Sequence, residues 1–329
     1  MNYSTHSTGT YIHHLQKSPS LLMRTAVLFI CCFLLFLPST LQATNSQKNV
    51  AIVYLQDKGF SQKLIKHLEK DIKEKNFNVI KITLQHALNT QLQEQDLIIA
   101  LGSKVTKAII ESNINKPTLS LLIPKSFSDA LEKKYPNTPN LSMLLIDQPI
   151  NRHFYLISEI LGKHHKTGLM LGPYTQQSEE LFKQFAVESA QSLITRYIDQ
   201  TDQLTSTLKV LSKEADVLLA LPDPGIYNKR TIRGILLSSY RYKLPIIGFS
   251  KAYVKAGAIA AIYSSPEQIS IQTANISSHF FNTYKFDEKI YYPSDFSISL
   301  NHKVARSMSI RLPESSAIAE QIKKSEKKP

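Results

Sequence analysis

Six short segments hold the side chains best equipped to grip a small molecule: Gln56-Asp57-Lys58-Gly59, Gly102-Ser103, Pro124-Lys125-Ser126, Gly172-Pro173-Tyr174-Thr175, Pro222-Asp223-Pro224-Gly225-Ile226-Tyr227-Asn228 and Ser250-Lys251-Ala252-Tyr253. Asp223 can accept from a ligand amine, while Tyr174, Tyr227 and Tyr253 offer flat apolar walls with polar tips. Asp-Pro-Gly is also a turn sequence in any protein, so a purely local role competes with the pocket role. Gly102-Ser103, opening a helix, can hold a carboxylate or phosphate on free backbone amides or serve as a plain N-cap. The expected ligand contacts are Gln56, Asp57, Gly102, Ser103, Lys125, Tyr174, Asp223, Tyr227, Asn228, Ser250 and Tyr253.

Reaction chemistry is thinly represented. The chain has no G-x-S-x-G elbow, no G-x-x-x-x-G-K-[ST] loop, no G-x-G-x-x-G and no H-E-x-x-H. His164 and His165 are adjacent ahead of an extended run, where neighbouring side chains point apart, and His67, His86, His153, His279 and His302 are scattered. These read as surface or packing histidines. Both cysteines, Cys31 and Cys32, lie in an N-terminal apolar stretch, so no disulfide, thiolate metal site or cysteine nucleophile is expected beyond it. A binding protein without cofactor or metal is expected, rather than an enzyme.

The elements that must position these segments alternate along the chain. Short β-branched runs are followed by longer stretches of helical period, the pattern of a parallel sheet covered by helices on both faces. In such a sheet ligands sit beyond the carboxyl ends of the strands, which is where the six segments fall. The first lobe, residues 44–148, contains the extended runs Asn49 to Leu55, Asn78 to Leu84, Asp96 to Leu101, Thr118 to Ile123 and Leu141 to Ile146. A polar helical turn is expected around Gln91, and residues 124–140 read as a turn-rich stretch. The second lobe, residues 149–290, repeats the alternation from a helix at Ile150 to Leu161 onward. It closes on a helix that starts at Pro266-Glu267, with proline and an acid in the first turn. Residues 291–313 are expected to return to the first lobe, with Asn301 capping a short helix. Residues 314–329, ending in Lys323-Lys324-Ser325-Glu326-Lys327-Lys328-Pro329, are expected to form a flexible basic tail.

Leu21 to Ala43 has the signal-peptide pattern: Lys17 and Arg24 supply positive charge, Ala26 to Leu37 the apolar segment, and Pro38 breaks it ahead of cleavage near Ala43. This predicts an exported, periplasmic protein. Met23-Arg24 would begin a signal of more ordinary proportions, so Met23 is an alternative start. The formal charge of +13 invites a nucleic-acid reading. Lys63, Lys66, Lys70, Lys73 and Lys75 are interleaved with Glu69, Asp71 and Glu74, however, which describes a solvated helix face. No nucleic-acid partner is expected; attraction to anionic lipid or an acidic ligand stays open.

The second half resembles the tryptophan/tyrosine-type branch of ABC-transporter substrate-binding proteins. The likeness rests on Leu244-Pro245-Ile246-Ile247-Gly248-Phe249-Ser250 and Tyr253-Val254-Lys255-Ala256-Gly257-Ala258-Ile259-Ala260, a strand, loop and Val-x-x-Gly-Ala-type segment. Asp216 to Asn228, Thr138-Pro139-Asn140-Leu141-Ser142, Glu159-Ile160-Leu161, Lys166-Thr167-Gly168-Leu169, Asn301-His302-Lys303-Val304-Ala305 and Ile310-Arg311-Leu312-Pro313 also fit. The resemblance departs from the family at Pro124-Lys125-Ser126-Phe127-Ser128-Asp129, where a Thr-Asp-Pro-like turn is usual, and in the missing Gly after the following Asn. It implies the type I periplasmic-binding-protein fold, two Rossmann-like (flavodoxin-like) α/β lobes with parallel sheets joined by a hinge. That hinge is expected at Asp147 to Asn151, Tyr263 to Pro266 and Tyr291 to Phe296. It also implies a monomer that binds a small molecule, an amino acid or related compound, between the lobes and delivers it to a membrane permease. The alternative is a ligand-sensing or envelope-interaction protein that presents the same fold to a membrane receptor or sensor kinase.

Overall fold

The computed structural model describes residues 47–56, 58–87 and 92–327. The expected signal segment, Asp57 and the turn around Gln91 lie outside the described residues.

The chain first lays down β1 (Asn49–Tyr54), α1 (Phe60–Glu74), β2 (Asn78–Thr83), α2 (Leu84–Ala87), β3 (Leu97–Leu101), α3 (Ser103–Glu111), β4 (Thr118–Ile123), α4 (Lys125–Lys134) and β5 (Leu141–Leu145). β1 and β3 to β5 are apolar nearly throughout and buried, as strands covered on both faces must be. The second series runs α5 (Ile150–Leu161), β6 (Lys166–Leu171), α6 (Glu179–Glu188), β7 (Ser192–Tyr197), α7 (Leu204–Glu214), β8 (Val217–Leu219), α8 (Ile232–Arg241), β9 (Ile246–Gly248), α9 (Lys251–Ala256) and β10 (Ala260–Tyr263). Then come α10 (Pro266–Thr283), β11 (Ile290–Tyr291), β12 (Ser297–Leu300), α11 (His302–Ser307) and α12 (Ser315–Glu326).

Two six-stranded sheets result, ordered β2-β1-β3-β4-β5-β11 and β7-β6-β8-β9-β10-β12. Every pairing is parallel except β12 with β10. The expected two-lobed α/β architecture is therefore what the chain adopts. It passes between lobes three times: from β5 to α5, from β10 to α10 and from β11 to β12. These passages coincide with the three expected hinge segments.

Four local expectations give way. The helix at Pro266, opened by a capping box between Ser265 and Gln268, does not close the second lobe. Its Ile269, Ala274, Phe280 and Phe281 join Leu64, Leu68 and Ile72 in the first-lobe core, and Ser270 Oγ donates to Asp71 at 2.6 Å. Periodicity reveals an apolar face but not which sheet it meets. The run expected to return to the first lobe splits, with β11 pairing β5 and β12 pairing β10. The turn-rich stretch holds α4, anchored by Leu131; three lysines and two serines leave it a weak apolar signal. The basic tail is α12, not a flexible end. Ile318 and Ile322, one turn apart, are buried in the core around Phe154 and Ile157. The cap at Asn301 is found as expected, its side chain accepting from Val304 N at 3.1 Å.

Candidate ligand-binding cleft

A continuous polar network binds the three passages together. Gln148 Nε2 donates to Ser264 Oγ at 2.8 Å, and Ser264 Oγ donates to the Asp295 carbonyl at 2.6 Å, so each passage contributes one member. Arg152, on the first turn of α5 and 5% exposed, donates to Gln148 Oε1 and the Pro293 carbonyl, each at 2.8 Å, and to the Ser294 carbonyl at 3.2 Å. The same guanidinium meets the Glu326 carboxylate at 2.5 Å and lies 4.6 Å from the centre of the Phe296 ring. Fixed guanidinium geometry suits this fork of carbonyls and carboxylate.

Beside this network the carboxyl ends of strands from both lobes enclose a cavity of about 190 Å³. The first lobe supplies Lys125, Ser126 and Asp129 of α4, and Asp147 and Gln148 after β5. The second supplies Tyr174, Thr175, Gln177 and Ser178 after β6, Leu181 and Phe182 of α6, and Leu221 and Pro222 after β8; Ile150, His153 and Tyr292 complete it. Lys133 Nζ reaches across to Gln177 Oε1 at 2.9 Å. A bulge aims the Lys125 segment here: the pairing of β4 with β5 shifts between Leu121 and Ile123, and Leu122 takes φ 59°. A γ-branched side chain in the left-handed region is a locally strained choice, found where structure elsewhere holds it.

Charge in the cavity is organised by burial. Lys125 Nζ pairs with Asp129 Oδ1. Asp147 Oδ2 accepts the Lys125 backbone N–H at 2.8 Å, capping α4, yet desolvation outweighs that bond and pushes its carboxyl up to about 6. Burial, with the neighbouring Arg152 guanidinium, holds His153 down to about 4, so the imidazole is neutral. The Tyr292 phenol is raised by desolvation and by Asp147 and Asp129. Among the described residues no cluster of three His, Cys, Asp or Glu could hold a metal ion, and no helix is long and apolar enough to cross a membrane.

Of the expected contacts, Lys125 and Tyr174 line this cavity. Gln56, Gly102 and Ser103 follow β1 and β3 on the same sheet edge but stand outside it, and Gly102, at φ 89°, precedes α3 without a side-chain cap. Ser250 caps α9 and accepts from Tyr253 N at 3.4 Å. Tyr253 and the buried Tyr227 pack with Phe249 in an aromatic cluster. Asn228 Oδ1 accepts from Arg230 N at 2.9 Å, closing its own turn. Asp223 is fully buried and its carboxylate is spent locally: Oδ2 accepts from Thr175 Oγ1 at 2.8 Å and Tyr174 N at 3.3 Å, Oδ1 from Gly225 N at 2.8 Å. It shapes the Tyr174 turn from beneath, and the pocket-acceptor role gives way to turn chemistry. Asp223→Ala is expected to cost about 3 kcal/mol in urea denaturation, because three donors lose their acceptor.

Sequence reasoning missed Asp129, Asp147 and His153. The carboxyl-end rule, applied after Leu141 to Ile146 as after the other runs, reaches Asp147. Asp129 was hidden with its helix, and nothing in the Asn151-Arg152-His153-Phe154 run marks an inward-facing imidazole.

A larger groove of about 640 Å³ borders Pro136, Thr138, Pro139, Tyr284, Phe286 and Lys289. It lies at the amino ends of β4, β5 and β11 within one lobe, the edge where parallel sheets do not place ligands.

A family model described as ABC transporter substrate binding protein matches residues 54–323. A ligand-free, open substrate-binding protein with adhesive properties from Clostridium difficile superposes with TM-score 0.65 at 16% identity, covering 81% of this chain and 96% of that one. The ABC domain in complex with L-Trp from Streptococcus pneumoniae gives 0.60 at 15%, covering 83% and 98%. A conserved domain protein from Vibrio cholerae gives 0.59 at 19%, covering 83% and 98%. No curated protein sequence matches the chain.

Proposed function

The chain belongs to the ABC transporter substrate-binding protein family, and from that premise we propose that it is the solute-binding component of an ABC-type importer. It captures a small molecule, an amino acid or related compound, in the cleft at the hinge and presents it to a membrane permease. Export by the N-terminal apolar segment would place it in the periplasm as a monomer. The observation that carries the reading is convergence: loops after β4, β5, β6 and β8, from two lobes, meet in one cavity with charged groups over the apolar walls of Tyr174, Leu181 and Phe182.

A thermal-shift panel of amino acids, amines, purines, short peptides and sugars tests it. A true ligand at one hundred times its Kd stabilises the native state by about 2.7 kcal/mol, a rise of about 6 °C for a chain of this size. Ser178→Trp, which fills the cavity, is expected to abolish the shift while leaving the unliganded melting temperature near that of the parent. A shift that survives Ser178→Trp places binding elsewhere and contradicts the proposal.

A further inference from the structure

The cavity at the hinge is short of positive charge. Lys125 is its one cationic side chain, and its ammonium is already paired with Asp129. Asp147 accepts from backbone N–H groups, those of Lys125 and of Asp147 itself. Arg152 is near in sequence but committed elsewhere, to Gln148, the Pro293 and Ser294 carbonyls and Glu326. His153 is buried, lines the cavity, and its Nδ1 has no hydrogen-bond partner. Leaving a buried polar atom unpaired is unfavourable, so a site that retains one is prepared for a donor from outside the chain.

Resting on the solute-binding reading, we propose that the ligand presents a protonated amine, which sits against Asp147 and Asp129 and donates to Nδ1 of His153. The imidazole is then the Nε2–H tautomer, and the apolar part of the ligand lies on Tyr174, Leu181 and Phe182. The ammonium supplies the positive charge and the donor that the cavity lacks. A proton on Asp147 does part of the same work, which is why burial, with the neighbouring Asp129 charge, drives that carboxyl up to about 6. Proton and amine therefore compete. The groups that set this competition are Lys125 and Asp129 from α4, Arg152 and His153 from α5, and Tyr292 from the third passage.

Isothermal titration with matched probes tests the assignment: phenethylamine, phenylalanine and 3-phenylpropionate on one apolar body, isoamylamine, leucine and 4-methylpentanoate on another, with ribose and glucose beside them. Members with an amine are expected to bind at pH 7.5 and to weaken about tenfold at pH 5.0, where Asp147 is about nine-tenths protonated. Asp147→Asn is expected to lose at least about tenfold and the pH dependence with it; His153→Phe, which keeps the ring, loses affinity but keeps the pH dependence. Stability supplies a second readout with a definite sign. The folded carboxyl titrates near 6 against an ordinary 3.8, so its ionisation destabilises the fold as pH rises through that interval. Unliganded Asp147→Asn should melt above the parent at pH 7.5, and the gap should vanish by pH 4. Binding of a deaminated acid or a sugar that Ser178→Trp abolishes and Asp147→Asn does not would overturn the amine assignment and leave the cleft reading standing. Amine binding indifferent to Asp147→Asn would also overturn it, and silence from every probe would overturn both.

Discussion

Truncation after Glu314 is expected to cost on the order of 5 kcal/mol or more and to melt the second lobe first. The truncation strips Ile318 and Ile322, 1% and 0% exposed, from the core that holds Phe154, Leu156 and Ile157. Large-to-small changes at such positions cost about 2–5 kcal/mol each, and deleting the helix also uncovers the apolar residues beneath it. It further removes Glu326 from Arg152 and Lys323 from Asp295. Circular dichroism with urea checks this; a truncated chain with the parental midpoint would contradict α12 as an integral part of the lobe.

Arg152→Ala is the second large effect, about 3–5 kcal/mol. The guanidinium is the common partner of a glutamine, two backbone carbonyls and a carboxylate drawn from two passages and the C-terminal helix. Its loss leaves all four acceptors facing a void and takes away the cation lying on Phe296. Glu326→Gln should cost far less, since that side chain reaches solvent and the amide can still accept. Arg152→Lys recovers little, because an ammonium cannot span the fork. Equal losses for Arg152→Ala and Glu326→Gln would show that the ion pair alone matters, contrary to a network joining the passages.

Much of the architecture was legible. Buried parallel strands are short apolar runs, and β1, β3, β4 and β5 were found from them alone; Asn301 and Pro266-Glu267 announced their helix starts through local capping and first-turn chemistry. Long-range choices were not legible. Nothing local distinguishes a helix that packs on its own lobe from α10, which crosses to the other, and the Ile318–Ile322 stripe of α12 is masked by the lysines around it. The same split runs through the cleft. Lys125 and Tyr174 follow strands directly, so the carboxyl-end rule reached them. Asp223 follows a strand too, but its Asp-Pro-Gly setting folds the carboxylate back on the chain. Asp147 gains its character from burial between lobes, and His153 from facing inward on α5, both consequences of tertiary packing.

The central claim is one ligand site shared by two lobes, and hydrogen exchange with and without the strongest binder from the panel tests it most directly. Binding should protect residues 125–129, 146–153 and 172–182 together, because both lobes close on the same molecule. Protection confined to one lobe, or centred on Pro136 to Leu141 and Tyr284 to Lys289, would contradict it.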